Sequence, residues 1–210
     1  MTKGPDKDLL VLVADGQMQG AMEGLLSRPK ALGIRRLSYD IFVHPERDPG
    51  CRDGGPEFLS PFRFQYHHAL LMFDREGCGD DRPRKQIEND LEEQLRKSDW
   101  SGRVAVVVID PELEAWVWSD SPHVDEVVGW REPGVRLRQW LRNEGYLDVG
   151  QSKPSRPKEA LEAVLYYCRR PRSSAIYRDL AERVSFRRCE DKAFNKLRGV
   201  LQSWFRICSQ

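Results

Sequence analysis

Three short, unbroken apolar runs, each stopping at a carboxylate, constrain this chain more than any other feature. Residues 9–14 stop at Asp15, and residues 69–73 stop at Asp74 with Glu76 two positions on. Residues 104–109 stop at Asp110, with Glu112 and Glu114 following. Short runs without polar alternation read as strands covered on both faces, the habit of a parallel sheet. In an open α/β sheet, ligands bind outside the carboxyl ends of the strands, so these acids are expected to meet in one crevice. Clustered carboxylates repel one another and resist desolvation, and a divalent cation is the usual offset. The pattern therefore predicts a magnesium- or manganese-dependent site for phosphate chemistry.

The segments between the runs support that architecture. A helix is predicted over 17–27, with Met18, Met22, Leu25 and Leu26 on one face and Pro29 beyond its end. A second strand is expected over 37–43. Residues 44–61, dense in proline, glycine and charge, read as a long surface excursion. After the loop 74–81, Pro83 suits a first helical turn and Asp81 a cap. Ile87, Leu91 and Leu95 mark that helix's buried face, and Glu88, Asp90, Glu92, Glu93, Arg96 and Lys97 are assigned mostly to its solvated side. Residues 103–109 form the fourth strand and 111–118 a turn into a short helix. Past Pro122 only helical patterns remain, over 134–143, 157–169, 175–184 and 192–205. The expectation is an α/β fold, a mostly parallel sheet flanked by helices with a helical C-terminal third. Its core would span 1–121, with a helical extension over 122–210 packed on it.

With 40 % hydrophobic and 32 % charged residues, a mostly disordered chain is excluded. No apolar run approaches the roughly 20 residues of a membrane span. The N-terminal stretch 1–8 lacks the apolar core of a secretory signal, which points to the cytoplasm. Five scattered cysteines (Cys51, Cys78, Cys168, Cys189, Cys208) form no CxxC pair and no disulfide framework. Cys78 lies beside the acidic loop. Net charge is only +1, yet residues 151–210 are strongly basic, Arg187 and Arg188 among them. Such a stretch beside an acidic strand-end cluster suits a polyanion held over metal, and a solvated helical surface explains the same charges.

Asp74-Arg75-Glu76 is the strongest motif. Side chains two apart in extended backbone point the same way, so Asp74 and Glu76 can share a metal or hold two ions. Asp15, turned outward beside Gly16, is a metal ligand or the base for an attacking water, or simply a helix cap. In Asp110-Pro111-Glu112-Leu113-Glu114, Asp110 is a further candidate ligand. Glu112 and Glu114 face different ways there, so one of the two is expected to look into the crevice. Lys153, Arg156 and Lys158 surround Pro154 and Pro157 at a helix start, which makes an anion site or a solvated linker. Trp116 and Trp118 read as core or interface. The four histidines form no constellation, and no GxSxG, P-loop or GxGxxG is present.

With these residues in view, the three acidic strand ends resemble the Toprim fold of topoisomerases, primases and overcoming-lysogenisation-defect nucleases. The stretches FDREGCGDD, PELEAWVWSD and KPSRPKEAL are similar to those of small Toprim-like proteins of bacterial anti-phage defence, notably of methylation-associated defence systems. The resemblance implies a magnesium-dependent nuclease cutting DNA or RNA. Asp15 would stand at the family's first acid, Asp74 and Glu76 at its acidic pair, and Asp110, Glu112 or Glu114 at its third group. Arg75 and the basic tail would steady the polyanion. It also implies an ATPase, methyltransferase or kinase-like protein as partner. Asp15 stands where the family has glutamate and Glu76 where it has aspartate. Those exchanges keep a second expectation alive, a catalytically reduced subunit that serves protein interaction.

Overall fold

The computed structural model describes residues 5–119, 121–186 and 189–207. Four strands form one all-parallel sheet: β1 (Lys7–Val13), β2 (Tyr39–Val43), β3 (Tyr66–Asp74) and β4 (Val104–Ile109). Their order is β2-β1-β3-β4. The chain leaves β1 toward one edge and returns to the other side of β1 as β3. The topological switch point, where α/β sheets place their ligands, therefore lies between β1 and β3.

Alternate positions of each strand feed two separate cores. Leu10, Leu12, Leu71, Phe73, Val106 and Val108 face α3 (Arg47–Leu59), α4 (Arg84–Leu95) and Trp100. Leu9, Val11, Val13, Leu70, Met72 and Val107 face α1 (Gly16–Leu26) and the C-terminal helices. These are α6 (His123–Val128), α7 (Leu137–Asn143), α8 (Pro157–Tyr167), α9 (Ser174–Arg183) and α10 (Lys192–Trp204). Two short helices, α2 (Pro29–Leu32) and α5 (Glu114–Val117), complete the set. The helices after residue 122 thus share one hydrophobic core with α1. Gly20 and Gly24 let α9 lie against α1, since a Cβ there would meet the Ser174 and Arg178 carbonyl oxygens at 2.4 and 2.6 Å.

Three expectations need correction. The excursion over 44–61 is largely α3, whose Cys51 and Leu59 are buried against the sheet. Its glycines allow that approach: a Cβ at Gly50 would strike the His44 ring, and one at Gly55 would meet Leu71 at 2.8 Å. Composition that reads as loop is here the price of tight packing. Asp81 does not cap α4; Pro83 occupies that position with no side-chain cap bond, and Asp80 instead accepts from the Arg82 backbone N–H at 3.0 Å.

The third concerns Glu88, which is not solvated but 2 % exposed. It accepts from the Val108 N–H at 3.0 Å, and Glu92 accepts from the Val106 N–H at 3.1 Å. β4 is an edge strand with outward-pointing N–H groups, and buried donors demand acceptors. Arg84 (2.8 Å) and Lys196 (3.2 Å) complete the Glu88 carboxylate.

Among the described residues, Cys51, Cys78, Cys168 and Cys189 are free thiols. Residues 1–4, Asp120, Arg187, Arg188 and Cys208 lie outside the described residues. No helix among those described is long and apolar enough to cross a membrane.

Candidate functional site

The carboxyl ends of the strands open into a cleft of about 820 Å³. Asp15, Asp74, Glu76, Glu112 and Glu114 all line it, and Asp48 joins them. Each arrives by a different local device.

Asp15 leaves β1 extended and caps α1, its Oδ1 accepting from the Met18 N–H at 2.9 Å. The Gln17 amide, turned to satisfy both groups, donates to the same carboxylate at 2.7 Å. Asp74 ends β3, and its N–H donates to Asp48 Oδ1 at 2.8 Å. The strand ends there, and the chain bends at Arg75 and turns at Glu76, whose N–H groups donate to the carbonyls of Ile109 and Pro111. Asp74 and Glu76 both line the cleft, and Glu76 is exposed at its lip. Arg75 turns the other way, its Nε 2.7 Å from Asp110 Oδ1.

Arg75 and Asp110 therefore pair with each other and do not line the cleft. The Asp110–Pro111 peptide is cis. Glu112 and Glu114 were expected to diverge, yet both reach the cleft and both are buried. Glu112 Oε1 accepts from the Lys158 N–H in the first turn of α8 at 2.9 Å. Glu114 Oε1 accepts from the Tyr177 hydroxyl at 2.5 Å and from the Arg172 guanidinium.

Electrostatics single out Asp74. Burial, then the charges of Asp48 and Glu114, push its carboxyl well above the usual range, against a hydrogen bond from the Leu113 backbone. Its Oδ1 is buried without a hydrogen-bond partner. Asp48 is also raised, first by burial, then by Asp15, against the Asp74 N–H and Lys158. Glu112 rises through burial and the neighbouring Glu114. A concave site holding several such acids is a functional candidate on physical grounds.

Of the basic residues expected at the site, Arg156 and Lys158 line the cleft, Arg156 while paired with Glu159 at 2.6 Å. Lys153 does not; its Nζ donates to the Ala115 carbonyl at 2.7 Å. Trp116 and Trp118 serve the core, Trp118 tying α5 to α8 through Pro157 O at 2.9 Å.

Asp48, His44, Arg47 and Arg172 also line the cleft and were not anticipated. The rule applied to β1, β3 and β4 holds for β2 as well. His44 and Asp48 follow directly on its carboxyl end, where the loop-like composition hid them.

Among the described residues, no three His, Cys, Asp or Glu side chains stand where together they could hold a metal ion. Magnesium, however, commonly binds through one or two carboxylates and completes its shell with water and substrate phosphate. The cleft leaves one buried Asp74 oxygen without a partner, and the charges of Asp48 and Asp15 act on that carboxylate.

Fold and cleft together define a doubly wound α/β protein with an acid-lined crevice at its switch point. Comparisons with protein-family models, curated proteins and solved structures find no match for the chain.

Proposed function

We propose that the chain is a Toprim-like, magnesium- or manganese-dependent nuclease of bacterial anti-phage defence, working in the cytoplasm on DNA or RNA. One observation carries the reading: carboxylates from four strand ends share one cleft, and one of them, Asp74, has a buried oxygen with no partner. Asp74, with one neighbouring carboxylate such as Asp48 or Asp15, would hold the cation, and water and substrate phosphate would complete its shell. Such an ion offsets the charge developing on a phosphate and lowers the pKa of bound water. Arg156, Lys158, Arg47 and Arg172 line the same cleft and would orient the phosphodiester. Tyr177 and Arg172 keep Glu114 fixed, and Glu112 ties the start of α8 to the cleft wall. Glu76, exposed at the lip, would take the proton of an attacking water.

A second reading, a catalytically reduced interaction subunit, draws on the acids already committed. Both Glu112 and Glu114 are engaged by protein groups, and no three-donor set is present among the described residues. Single-turnover cleavage of labelled DNA and RNA with manganese separates the two. Cleavage by the wild type that Asp74→Ala abolishes is the expected outcome. Cleavage that survives Asp74→Ala overturns the site. Absence of cleavage, with co-purification of a larger ATPase, methyltransferase or kinase-like protein, selects the second reading.

A further inference from the structure

Trp130, α7, α8 and the segment between those two helices build an aromatic cluster, and its groove shares Glu159 with the wall of the cleft. Trp130 stacks on Tyr167 with centroids 5.3 Å apart, and Trp140 contacts Trp130, Tyr146 and Tyr167 at 5.4, 6.2 and 5.2 Å. Trp130 is buried and serves as the base, whereas Trp140 and Tyr146 are half-buried and Tyr167 is exposed. The open side of the cluster is a groove of about 520 Å³. Tyr166 stands on its wall 88 % exposed, with no ring or hydrogen-bond partner among the described contacts.

The groove's charge is one-sided. Its only ionisable side chains besides tyrosine are Glu144, Glu159 and Glu162, and no lysine or arginine among the described residues lines it. Glu159 and Glu162 are each held by an arginine from outside, Arg156 and Arg172. Glu144 is exposed and lies in no ion pair described for the chain. Electron-rich ring faces attract cations, and Arg or Lys heads are the common occupants. Carboxylates around the rings repel phosphate, which sets this surface against nucleic acid. The groove is wide and shallow, so a free small cation would keep its water there, whereas a cation carried on a chain also buries its stem along the rings.

We infer that this groove docks a lysine- or arginine-presenting segment of a partner protein. The aromatic floor takes the aliphatic stems and cationic heads, and Glu144 supplies the unpaired countercharge. The inference stands independently of the chemistry proposed for the cleft.

The test titrates the intact protein with an arginine-glycine repeat peptide, followed by calorimetry and tryptophan fluorescence. A glutamate-glycine peptide, tetramethylammonium and a DNA oligonucleotide serve as comparisons. The acidic cleft is a competing site for a basic peptide, so variants of the groove decide. Tyr166→Ala and Glu144→Lys, both at exposed positions that leave the core intact, are expected to weaken the arginine peptide about three- to tenfold each. Circular dichroism should be unchanged. Binding that neither variant affects, no binding at all, or equal binding of the glutamate peptide overturns the inference. Tetramethylammonium binding as tightly as the peptide, or DNA binding that Tyr166→Ala weakens, overturns the assignment to a partner's basic segment.

Discussion

Two acidic clusters, built around Asp74 and Glu88, have opposite characters. On α4, Glu88 is 2 % exposed and fully answered: a backbone N–H, Arg84 and Lys196 all donate to it. At the end of β3, Asp74 has an oxygen with no donor and feels Asp48, Glu114 and Asp15 as like charges. The first arrangement closes an edge strand and joins α10 to the sheet. The second stores unfavourable electrostatics that the fold must tolerate, and such local cost belongs to sites kept for chemistry. Burial of a carboxylate alone distinguishes nothing; what donates to it does.

The comparison breaks first at Glu88. Replacing it with alanine leaves the Val108 N–H, Arg84 and Lys196 without their acceptor in a buried setting. The expected loss is about 3–5 kcal/mol of unfolding free energy, the range for breaking one half of a buried pair. Urea denaturation measures it. A loss under about 1 kcal/mol, the range of an exposed pair, would show Glu88 to be the solvated residue its helical pattern suggests.

That suggestion shows how far the sequence was legible. The apolar runs were enough to place β1, β3 and β4, because continuous burial leaves no polar residue to confuse the pattern, whereas β2, which carries Asp40 and no fully buried residue, rested on the weaker signal of residues 37–43. They also pointed to a carboxyl-end meeting of Asp15, Asp74 and Glu76 with one of Glu112 and Glu114, where in fact both glutamates line the cleft. What escaped was whatever depends on a neighbour distant in the chain. Glu88 reads as wet until β4 is known to be an edge with N–H groups facing it. Asp48 reads as loop because Gly50 and Gly55 are required by the His44 ring and by Leu71, contacts invisible to composition. Arg75 and Asp110 belong to the motifs with the clearest acidic pattern, yet they select each other across adjacent strand ends and leave the cleft.

The opposite sign is expected at Asp74. Its folded-state pKa lies well above that of the unfolded chain, near 3.8. Between those two values the folded protein holds a proton that the unfolded chain has released, so stability falls as pH rises through the window. Asp74→Asn removes the ionisable group and keeps a side chain of the same shape. In metal-free buffer at pH 8 it should be more stable than wild type by about 1–2 kcal/mol, the usual gain from relieving a functional compromise. The advantage should shrink toward pH 4. Thermal melts across that range check it, and a variant less stable than wild type at pH 8 would remove the distinction between the two clusters.

Glu92 supplies the finest measurement. It accepts from the Val106 N–H and from Lys196 at 2.8 Å, as Glu88 does with its own partners, but its side chain keeps 17 % of its exposure. Glu92→Gln retains an oxygen for the N–H and loses only the ionic attraction to Lys196 and Arg96. Partial solvent screening limits that attraction, so the expected cost is about 0.5–1 kcal/mol. Raising the salt from 0.05 to 0.5 M, concentrations about tenfold apart that shorten the screening length roughly threefold, should narrow the difference between Glu92→Gln and wild type while leaving that of Glu88→Ala nearly intact. If both differences respond equally to salt, Glu88 is screened like a surface charge. Its contrast with Asp74 would then reduce to exposure and no longer turn on which donors each carboxylate has.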